Sequence, residues 1–506
     1  MKKAIGILGV IFTIFILLAS QASAAKSNAE SASAFKSNGV KNVIILIGDG
    51  MGFSQLKLTK QCYGHLSMED IPSTGFELTD SLSGEVTDSA AAGTAIATGF
   101  KTYNGMISTI KKGEIKNVTT LLELAELCNK STGLVSTARI THATPAVFAS
   151  HVEDRDMEKE ISKQLIEHKV NVMFGGGKKE FDSDTLNMAK NYGYNIVYDK
   201  KGLESANGNY ILGLFSDSHI PYVLDRDENT PGLLDMTKKA VDLLEKDNDG
   251  FFLMIEAGRI DHASHANDIA SVVAETKEFD DVVNYCLDYA RKNKDTLVIV
   301  LADHETGGLA VGTGYGNPVN EEKILNIKAS TDKMAKEIKS GKDPKEVLKE
   351  YAGITLTDDE VKLINDARNS DNKYALGNTI AEIIDEKVGV GFVSHKHTGA
   401  PVPLMVYGKG SENFRGFLHH VDTSKETAKL MLFGNTNKYI KNYGVSSLKG
   451  DANGDFVINK DDAYVTLMSY VGEEVDTQNE EKLDMDNNGL IDYMDVAIIM
   501  NKAESY

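Results

Sequence analysis

Ser89 lies in a run of small residues that can begin a helix and leave its hydroxyl accessible. The side chains that follow it within Val86–Thr94 are mostly those of alanine and glycine, so a bulky anion can approach the oxygen. A helix that begins here directs its unpaired N–H groups and the positive end of its dipole at the anion, which suits transfer of a phosphoryl group to serine. The alternative for the same pattern is an ordinary N-cap followed by tight helix packing.

Acidic residues and histidines follow three apolar runs, Val43–Ile47, Phe251–Ile255 and Leu297–Leu301. Continuous Val, Ile and Leu runs are typical of parallel strands that are buried on both faces. In open α/β sheets, ligands bind beyond the carboxyl ends of such strands. The residues that we expect at this edge are Asp49, Glu256, Asp261, His265, Asp303 and His304.

The number of donors predicts a metal site that holds more than one ion. Asp261 and His265 have the i, i+4 spacing that brings two ligands to one face of a helical turn. Asp303 and His304 are adjacent, so they can share an ion only on a sharply turning loop. Carboxylates with imidazoles, and no thiolate, suit Zn²⁺ or a similar transition metal. Surface Asp–His pairs and helix caps are the alternative for any one cluster taken alone.

The order and spacing of these residues resemble those of the alkaline phosphatase family, from about Lys41 to Tyr443. The resemblance implies a three-layer α/β/α sandwich with a mostly parallel central sheet, which would form a catalytic domain over residues 41–445. An insertion at about 312–394, with helical segments at 330–351 and 358–368, would shape the mouth of the active site. The matching positions are Asp49, Ser89, His142-Ala143-Thr144-Pro145, Arg155, Glu256, Asp261, His265, Asp303-His304 and His397-Thr398-Gly399.

The resemblance implies two zinc sites and one magnesium site. Their ligands would be Asp261, His265 and His397 for the first zinc, Asp49, Asp303, His304 and the Ser89 oxygen for the second, and Asp49, Thr144 and Glu256 for magnesium. His142 and His262 stand where some bacterial relatives carry Asp and Lys, and both are assigned to substrate binding. Because His142 supplies no second carboxylate, we expect weaker magnesium binding, and Co²⁺ is an alternative ion.

The implied reaction is hydrolysis of phosphate monoesters to an alcohol and inorganic phosphate. Arg155 would bind two non-bridging oxygens bidentately, and the Ser89 alkoxide would attack phosphorus in line to give a phosphoserine that water then hydrolyses. An alkaline pH optimum is expected because both nucleophiles must lose a proton. The alternatives are a phosphodiesterase or a sulfatase on the same core, which Ser89 with Arg155 disfavours, and a binding protein that has lost activity.

The N-terminal residues predict export. Met1–Ala24 has two early lysines, an apolar stretch and a small-residue cleavage site, which together are typical of a secretory signal peptide. The following residues, 25–40, are rich in Ala, Ser and Asn and are expected to form a disordered lead-in. No other membrane-spanning candidate is present in the sequence, so a secreted, extracellular protein is expected.

Two loops near the C-terminus repeat the oxygen-donor spacing of calcium sites, with donors at positions 1, 3, 5, 9 and 12. The pair resembles a type I dockerin over residues 446–506, which implies a small all-α domain, two Ca²⁺ ions and a cohesin partner on a cell-surface cellulosomal scaffoldin. Phe456 occupies position 6 of the first loop, where glycine is usual. A calcium module used only for stability is the alternative. The donors are Asp451, Asn453, Asp455, Asn459, Asp462, Asp484, Asp486, Asn488, Asp492 and Asp495.

Composition adds limits on partners. Residues 449–506 contain fourteen acidic residues and four lysines, so half of the net charge of −20 lies in the calcium-loop region. Without a basic stripe, nucleic-acid binding is not expected. The family resemblance leaves a homodimer open. The remaining histidines are interpreted as surface or packing residues: His65, His151, His168, His219, His395, His419 and His420.

Overall fold

The computed structural model divides the chain into two compact units. The larger contains residues 38–125 and 130–435, and the smaller contains the C-terminal residues from 436 onward. The predicted signal peptide and the predicted boundary at 445/446 lie outside the described residues. The lead-in predicted to reach residue 40 ends before Val40, which is fully buried and donates its backbone N–H to the Leu430 carbonyl. The structure describes residues 37, 39–84, 86–314, 317–434, 448–455, 457–472 and 480–504.

The strands of the larger unit are numbered here in chain order. They are β1 (Asn42–Ile47), β2 (Ser73–Leu78), β3 (Thr109–Lys112), β4 (Glu114–Asn117), β5 (Ser131–Arg139), β6 (Val172–Gly176), β7 (Asn195–Val197), β8 (Ile211–Leu214), β9 (Phe251–Glu256), β10 (Thr296–Leu301), β11 (Glu305–Thr306), β12 (Ala310–Val311), β13 (Val390–Gly391), β14 (His397–Thr398), β15 (Val402–Gly408) and β16 (Gly416–His419). Ten of them form one sheet in the order β16-β2-β15-β10-β1-β9-β5-β6-β8-β7.

The centre of this sheet is parallel, as the apolar runs predict. β1 lies between β10 and β9, and Ile47 pairs with Leu301 on one side and Glu256 on the other. β5 continues the parallel set beside β9, with Ser136 opposite Glu256. β15 is antiparallel to β10 and to β2. Four adjacent strands therefore bring their carboxyl ends, and the residues that follow, to one edge.

The helices of the larger unit cover both faces of the sheet. They are α1 (Phe53–Tyr63), α2 (Ser89–Thr98), α3 (Leu121–Leu127), α4 (Ala143–Ala149), α5 (Glu158–Glu167), α6 (Ser183–Asn191), α7 (Lys200–Ser205), α8 (Leu233–Leu244), α9 (Arg259–His265), α10 (Ile269–Lys292), α11 (Glu321–Leu325), α12 (Thr331–Lys339), α13 (Pro344–Ala352), α14 (Asp358–Arg368), α15 (Ala375–Val388) and α16 (His420–Phe433).

Side-chain packing on β1 and β9 shows the two helical layers. Ile44 of β1 belongs to the same buried cluster as Met236 of α8 and Phe279 of α10. On the opposite face, Phe148 of α4 packs on Phe252 of β9 with ring centroids 5.9 Å apart. All six residues of β1 are buried. Continuous apolar strands require this double cover, and the α/β architecture with a mostly parallel sheet is confirmed.

The helical segments predicted between residues 312 and 394 are present, with one correction. The segment predicted at 330–351 consists of two helices, α12 and α13, because Gly341 adopts φ +110° and Pro344 starts a new helix. Helices of this segment pack against α1 and α10: Met334 of α12 and Ile380 of α15 belong to one buried cluster with Leu58 of α1 and Val272 of α10. The predicted role at the mouth of the active site stays a prediction.

The C-terminal unit contains α17 (Lys460–Val471), α18 (Glu480–Leu483) and α19 (Tyr493–Glu504). The rings of Tyr470 and Tyr493 pack edge to face, 5.2 Å apart, where α17 meets α19. Helices α17 and α19 each begin within one of the two loops, at Lys460 and at Tyr493. In the first loop the Asn459 side chain accepts the Asp461 N–H and caps the helix. Among the described residues no helix is long and apolar enough to cross a membrane.

Candidate active site

Ser89 is the first residue of α2, as its sequence context predicts. Asp88 caps the helix, since its carboxylate accepts the N–H of Ala91 at 3.0 Å. All ten residues of α2 are buried, and the helix ends at Gly99 in the left-handed conformation. The Ser89 Oγ lies 3.3 Å from the Nε2 of His304. The hydroxyl thus sits at a helix N-terminus beside an imidazole.

Small residues in α2 allow close contact with α4, the helix that carries Thr144. A Cβ added at Gly93 would lie 3.0 Å from the Cγ2 of Val147. A larger residue would therefore push α4 away from α2. The small residues of α2 therefore set how close Thr144, on α4, can lie to Ser89.

Arg155 is held beside Ser89 by Asp88. Its Nη1 donates to Asp88 Oδ2 at 2.9 Å, and its Nη2 lies 3.1 Å from the Nε2 of His142. Asp88 Oδ2 also accepts the N–H of Gly105, and Gly105 in turn accepts the N–H of Arg155. Burial opposes the charge of Arg155, but Asp88 and then Asp49 raise its pKa. Asp88 lies within the run Val86–Thr94, for which the sequence offered an N-cap as the alternative, and no contact with Arg155 was predicted for it.

The first predicted metal cluster is assembled. Asp261 Oδ1 lies 3.3 Å from His265 Nε2 and 3.6 Å from His397 Nε2, and the two Nε2 atoms are 3.1 Å apart. His265 Nδ1 donates to the His395 carbonyl, and His397 Nδ1 donates to the Thr87 carbonyl. These backbone contacts fix the tautomers and leave each Nε2 lone pair for an ion.

The second predicted cluster lies beside Ser89. His304 Nε2 is 3.2 Å from Asp303 Oδ2 and 3.6 Å from Asp49 Oδ1, and all three side chains are fully buried. The N–H groups of Gly50 and His304 donate to Asp303 Oδ1, which turns Oδ2 toward the cluster. Gly50 has φ +73°, and a Cβ there would come within 2.8 Å of Asp261. The turn after β1 therefore requires glycine.

The third predicted cluster contains Glu256, Asp49 and Thr144, all fully buried. A carboxylate oxygen of Asp49, one of Glu256 and a ring nitrogen of His142 lie within 4.8 Å of one another. Ser136, on β5, donates its hydroxyl to Glu256 Oε2. The structure thus brings His142 to the side of this cluster, as the expectation of weaker magnesium binding requires, and its role in substrate binding stays a prediction.

Burial changes the protonation of these groups. Burial, together with the nearby Asp303, raises the pKa of Asp49 well above its usual value. Burial and then Asp261 raise the pKa of Asp303 to about 6, and burial raises that of Glu256 to about 7. For His304, burial and the facing His397 hold the pKa well below the usual range, so its imidazole is neutral. A neutral imidazole can bind a metal ion through its lone pair, and a bound cation favours the ionised form of carboxyl groups that lie close together.

The donor set fits divalent metal ions. Among the described residues, neither carboxylate oxygen of Asp49 accepts a hydrogen bond, and the same holds for Asp303 Oδ2 and Glu256 Oε1. Buried carboxylate oxygens without donors are expensive unless a cation compensates them. The first cluster offers imidazole and carboxylate, which suits zinc, whereas the third is rich in oxygen, which suits magnesium.

Other nearby residues were missed or interpreted as packing. The rings of His219 and His262 pack at a tilt of 56° with centroids 4.2 Å apart, and Arg259 Nη1 lies 3.0 Å from His262 Nδ1. His420 Nε2 donates to the Asp303 carbonyl, and Thr306 Oγ1 donates to Asp261 Oδ1 at 2.6 Å. Of these residues only Thr306 lies soon after a predicted strand, and no local sequence pattern indicated the others.

The first of the two loops predicted to bind calcium brings three carboxylates together. Carboxylate oxygens of Asp451, Asp455 and Asp462 lie within 4.8 Å of one another, and Asp462 accepts the N–H groups of Asn453 and Asn459. In the second loop the position 12 residue repeats this contact pattern, since Asp495 accepts the N–H of Asp492 at 2.8 Å. Phe456, in the first loop, lies outside the described residues.

The carboxyl edge of the parallel sheet holds a buried serine, an arginine and clusters of carboxylates and imidazoles. This combination is that of a metal-dependent hydrolase of phosphate esters. The sequence profile of the alkaline phosphatase family matches residues 40–432, and the chain belongs to this family. Its enzyme class is therefore that of the phosphomonoesterases.

Individual proteins that are similar to this chain are also alkaline phosphatases. Alkaline phosphatase 4 of Bacillus subtilis is 38% identical over 414 residues, covering 78% of this chain and 89% of that protein. The cold-active alkaline phosphatase of Shewanella sp. superposes with a TM-score of 0.73 at 30% identity, covering 77% of this chain and 99% of that one. A histidine-to-aspartate variant of the alkaline phosphatase of the Antarctic bacterium TAB5, with magnesium bound in its M3 site, has a TM-score of 0.59 at 28% identity, covering 79% and 99%.

Proposed function

We propose that this chain hydrolyses phosphate monoesters through a phosphoserine at Ser89. The observation that carries the proposal is the convergence of the Ser89 hydroxyl, the Arg155 guanidinium and the carboxylate oxygens that accept no hydrogen bond. A phosphate dianion placed against Ser89 requires positive charge on all sides. Arg155 and bound divalent ions supply that charge.

We assign the ions by the chemistry of the ligands. Two Zn²⁺ ions, with Co²⁺ as an alternative, would be held by Asp261, His265 and His397 and by Asp49, Asp303, His304 and Ser89. One Mg²⁺ ion would be held by Asp49, Thr144 and Glu256. When bound, such ions neutralise phosphate oxygens and lower the pKa of hydroxyl groups and water near them.

The residues of the chain position the substrate around this charge. Arg155 donates two parallel N–H bonds to non-bridging oxygens of the phosphoryl group, in an orientation that Asp88 fixes. Ser89 Oγ forms the new bond to phosphorus while the alcohol oxygen leaves on the opposite side, and the helix N-terminus favours the added negative charge. His142 and His262 bind the outer phosphate oxygens, directly or through water. Water then displaces Ser89 and releases inorganic phosphate.

The test is an assay of the purified protein on an aryl phosphate monoester and on the matching diester. Zinc, cobalt and magnesium are added singly and together, at neutral and alkaline pH. Strong monoester turnover that a chelator abolishes and the metals restore supports the proposal. Preference for the diester moves the function to the phosphodiesterases, and no turnover with any metal favours a binding protein.

We further propose that residues 446–506 form a dockerin that binds two Ca²⁺ ions and a cohesin of a scaffoldin. The support is the repeated donor spacing together with the convergence of Asp451, Asp455 and Asp462. Bound calcium would compensate Oδ1 of Asp484, a buried oxygen that accepts no hydrogen bond among the described residues. A calcium module used only for stability is the alternative.

This second proposal is tested by binding of the full chain to cohesins with and without calcium. Retained cohesin binding by Ser89→Ala, together with loss of turnover, supports two independent modules, whereas equal loss of both contradicts them. Calcium binding with no cohesin recognised leaves the stability module as the better assignment. Secretion through the residue 1–24 signal, attachment at the cell surface and assembly as a homodimer stay predictions of the sequence.

A further inference from the structure

We propose that Glu123, His151 and His168 form an additional zinc site, made of residues that the hydrolysis of phosphate esters does not use. They come from three separate parts of the larger unit. Glu123 lies on α3, His151 follows the end of α4, and His168 terminates α5. One ligand atom from each residue lies within 4.8 Å of the other two.

The spacing of the atoms favours an ion over hydrogen bonds alone. His151 Nε2 lies 3.0 Å and His168 Nε2 lies 3.5 Å from the same oxygen, Glu123 Oε1. A tetrahedral zinc with bonds of 2.0–2.1 Å places its ligand atoms about 3.3 Å apart. The first distance also fits a hydrogen bond, but the second is long for one. Both distances are close to the distance of about 3.3 Å between two ligand atoms of a tetrahedral zinc ion.

The tautomer of His151 points to a cation between it and Glu123. Its Nδ1 lies 2.9 Å from the carbonyl oxygen of Ser108, which can only accept a hydrogen bond. Nδ1 therefore carries the proton, and in a neutral imidazole Nε2 presents a lone pair. That lone pair faces a carboxylate oxygen, so either a second proton or a metal ion must lie between them. A carbonyl that binds the other ring nitrogen is the usual support of a metal-binding histidine.

Glu123 is fixed in the orientation that a ligand requires. Its Oε2 accepts the N–H of Thr120 at 2.7 Å, and Thr120 Oγ1 accepts the N–H of Glu123 at 3.1 Å. This reciprocal capping occupies one carboxylate oxygen and directs the other at the two histidines. Burial raises the pKa of Glu123, but His151 and His168 lower it to about 2, so the carboxylate is ionised at neutral pH.

Solvent reaches the site, which leaves a fourth position for water. The exposed fractions of the side chains are 16% for Glu123, 10% for His151 and 25% for His168. Two imidazoles and one carboxylate with water complete a tetrahedron. An ion here would join α3 and α5 to the segment after α4, which leads to Arg155. We therefore expect it to stabilise the fold and to leave the chemistry unchanged.

The experiment counts zinc per chain in the full-length protein at one buffered, micromolar concentration of free zinc. Elemental analysis compares the wild type with Glu123→Gln, His168→Asn and the control Glu167→Gln, which removes an exposed carboxylate next to His168. We expect one zinc fewer per chain in the first two variants only, with turnover unchanged. Unchanged turnover also shows that these variants fold.

Crystals of the zinc-loaded wild type provide the second readout. An anomalous peak at the zinc edge, bonded to the Nε2 atoms of His151 and His168, supports the proposal. Equal zinc contents in all four proteins, or anomalous peaks confined to the active site, overturn it and assign the contact to a protonated His151. All four proteins keep their active-site ligands intact. The difference in zinc content is therefore independent of whether the proposed hydrolysis is correct.

Discussion

Asp88 links Ser89, the proposed nucleophile, to Arg155, the proposed phosphate-binding residue. One of its oxygens caps the helix that begins at Ser89, and the other accepts from Arg155 and from the Gly105 N–H. A single carboxylate therefore fixes the positions of two groups that are proposed to be catalytic. Asp88 therefore holds Arg155 in addition to capping the helix, and the local sequence pattern predicts only the cap.

Asp88→Asn keeps the capping oxygen and removes the charge that holds Arg155. We expect inorganic phosphate to inhibit about fivefold more weakly, because loss of a charge-assisted hydrogen bond is equivalent to about 1 kcal/mol. The inhibition constant for phosphate is the measurement. The control is Asp182→Asn, another aspartate N-cap, which lies at the start of α6. Equal inhibition constants in wild type and Asp88→Asn would contradict the assigned role.

His142→Asp should strengthen magnesium binding at the third site. The change places a third carboxylate beside Asp49 and Glu256, and affinity for hard cations rises with the number of charged ligands. We expect the magnesium concentration for half-maximal activation to fall by about tenfold, equivalent to about 1.4 kcal/mol. His142→Asn, which adds no charge, is the matched control, and a similar fall in both variants would refute the explanation.

At the scale of elements, the sequence predicted best where one physical constraint acts alone. The strands at Val43, Phe251 and Leu297 were recognised because burial on both faces demands continuous apolar residues. The break between α12 and α13 was missed because the helical pattern of charge continues across Gly341. His219 and His420 were interpreted as packing residues because their partners come from distant segments that no local pattern encodes.

The loops that are proposed to bind calcium give a prediction at the same scale. Burial and then Asp492 raise the pKa of Asp495 to about 9. Because this folded value exceeds the unfolded value of about 3.9, the associated stability is complete below pH 4 and is lost as pH rises toward 9. The protection factors of α17 and α19 in a chelator, from hydrogen exchange corrected for the intrinsic pH dependence of amide exchange, should therefore fall as pH rises from 5 to 8. Added calcium should suppress this fall, and protection factors that change with neither pH nor calcium would contradict the assignment.

At the scale of the whole molecule, the metal-free enzyme should respond to pH differently from the loaded enzyme. Burial raises the pKa of Glu256 to about 7 and that of Asp303 to about 6, above their unfolded values of about 4. The protonated forms stabilise the fold at low pH, and this contribution is lost between about pH 4 and 7. Bound cations replace those protons.

The melting temperature of protein stripped by a chelator should therefore fall between pH 5 and 8, whereas that of protein loaded with zinc and magnesium should not. Differential scanning calorimetry at several pH values measures both. The difference between the two preparations should widen with pH, since metal binding competes with protons. Parallel curves would show that the buried carboxyls are not coupled to metal binding.

The central claim is that Ser89 carries the phosphoryl group during turnover. The most direct measurement is a rapid acid quench of the metal-loaded enzyme with a phosphate monoester, followed by mass spectrometry of the peptide that contains Ser89. We expect one added phosphoryl group on Ser89, and none in Ser89→Ala, which should lose at least about 10³-fold in turnover. A phosphoryl group on another residue, or full turnover by Ser89→Ala, would contradict it.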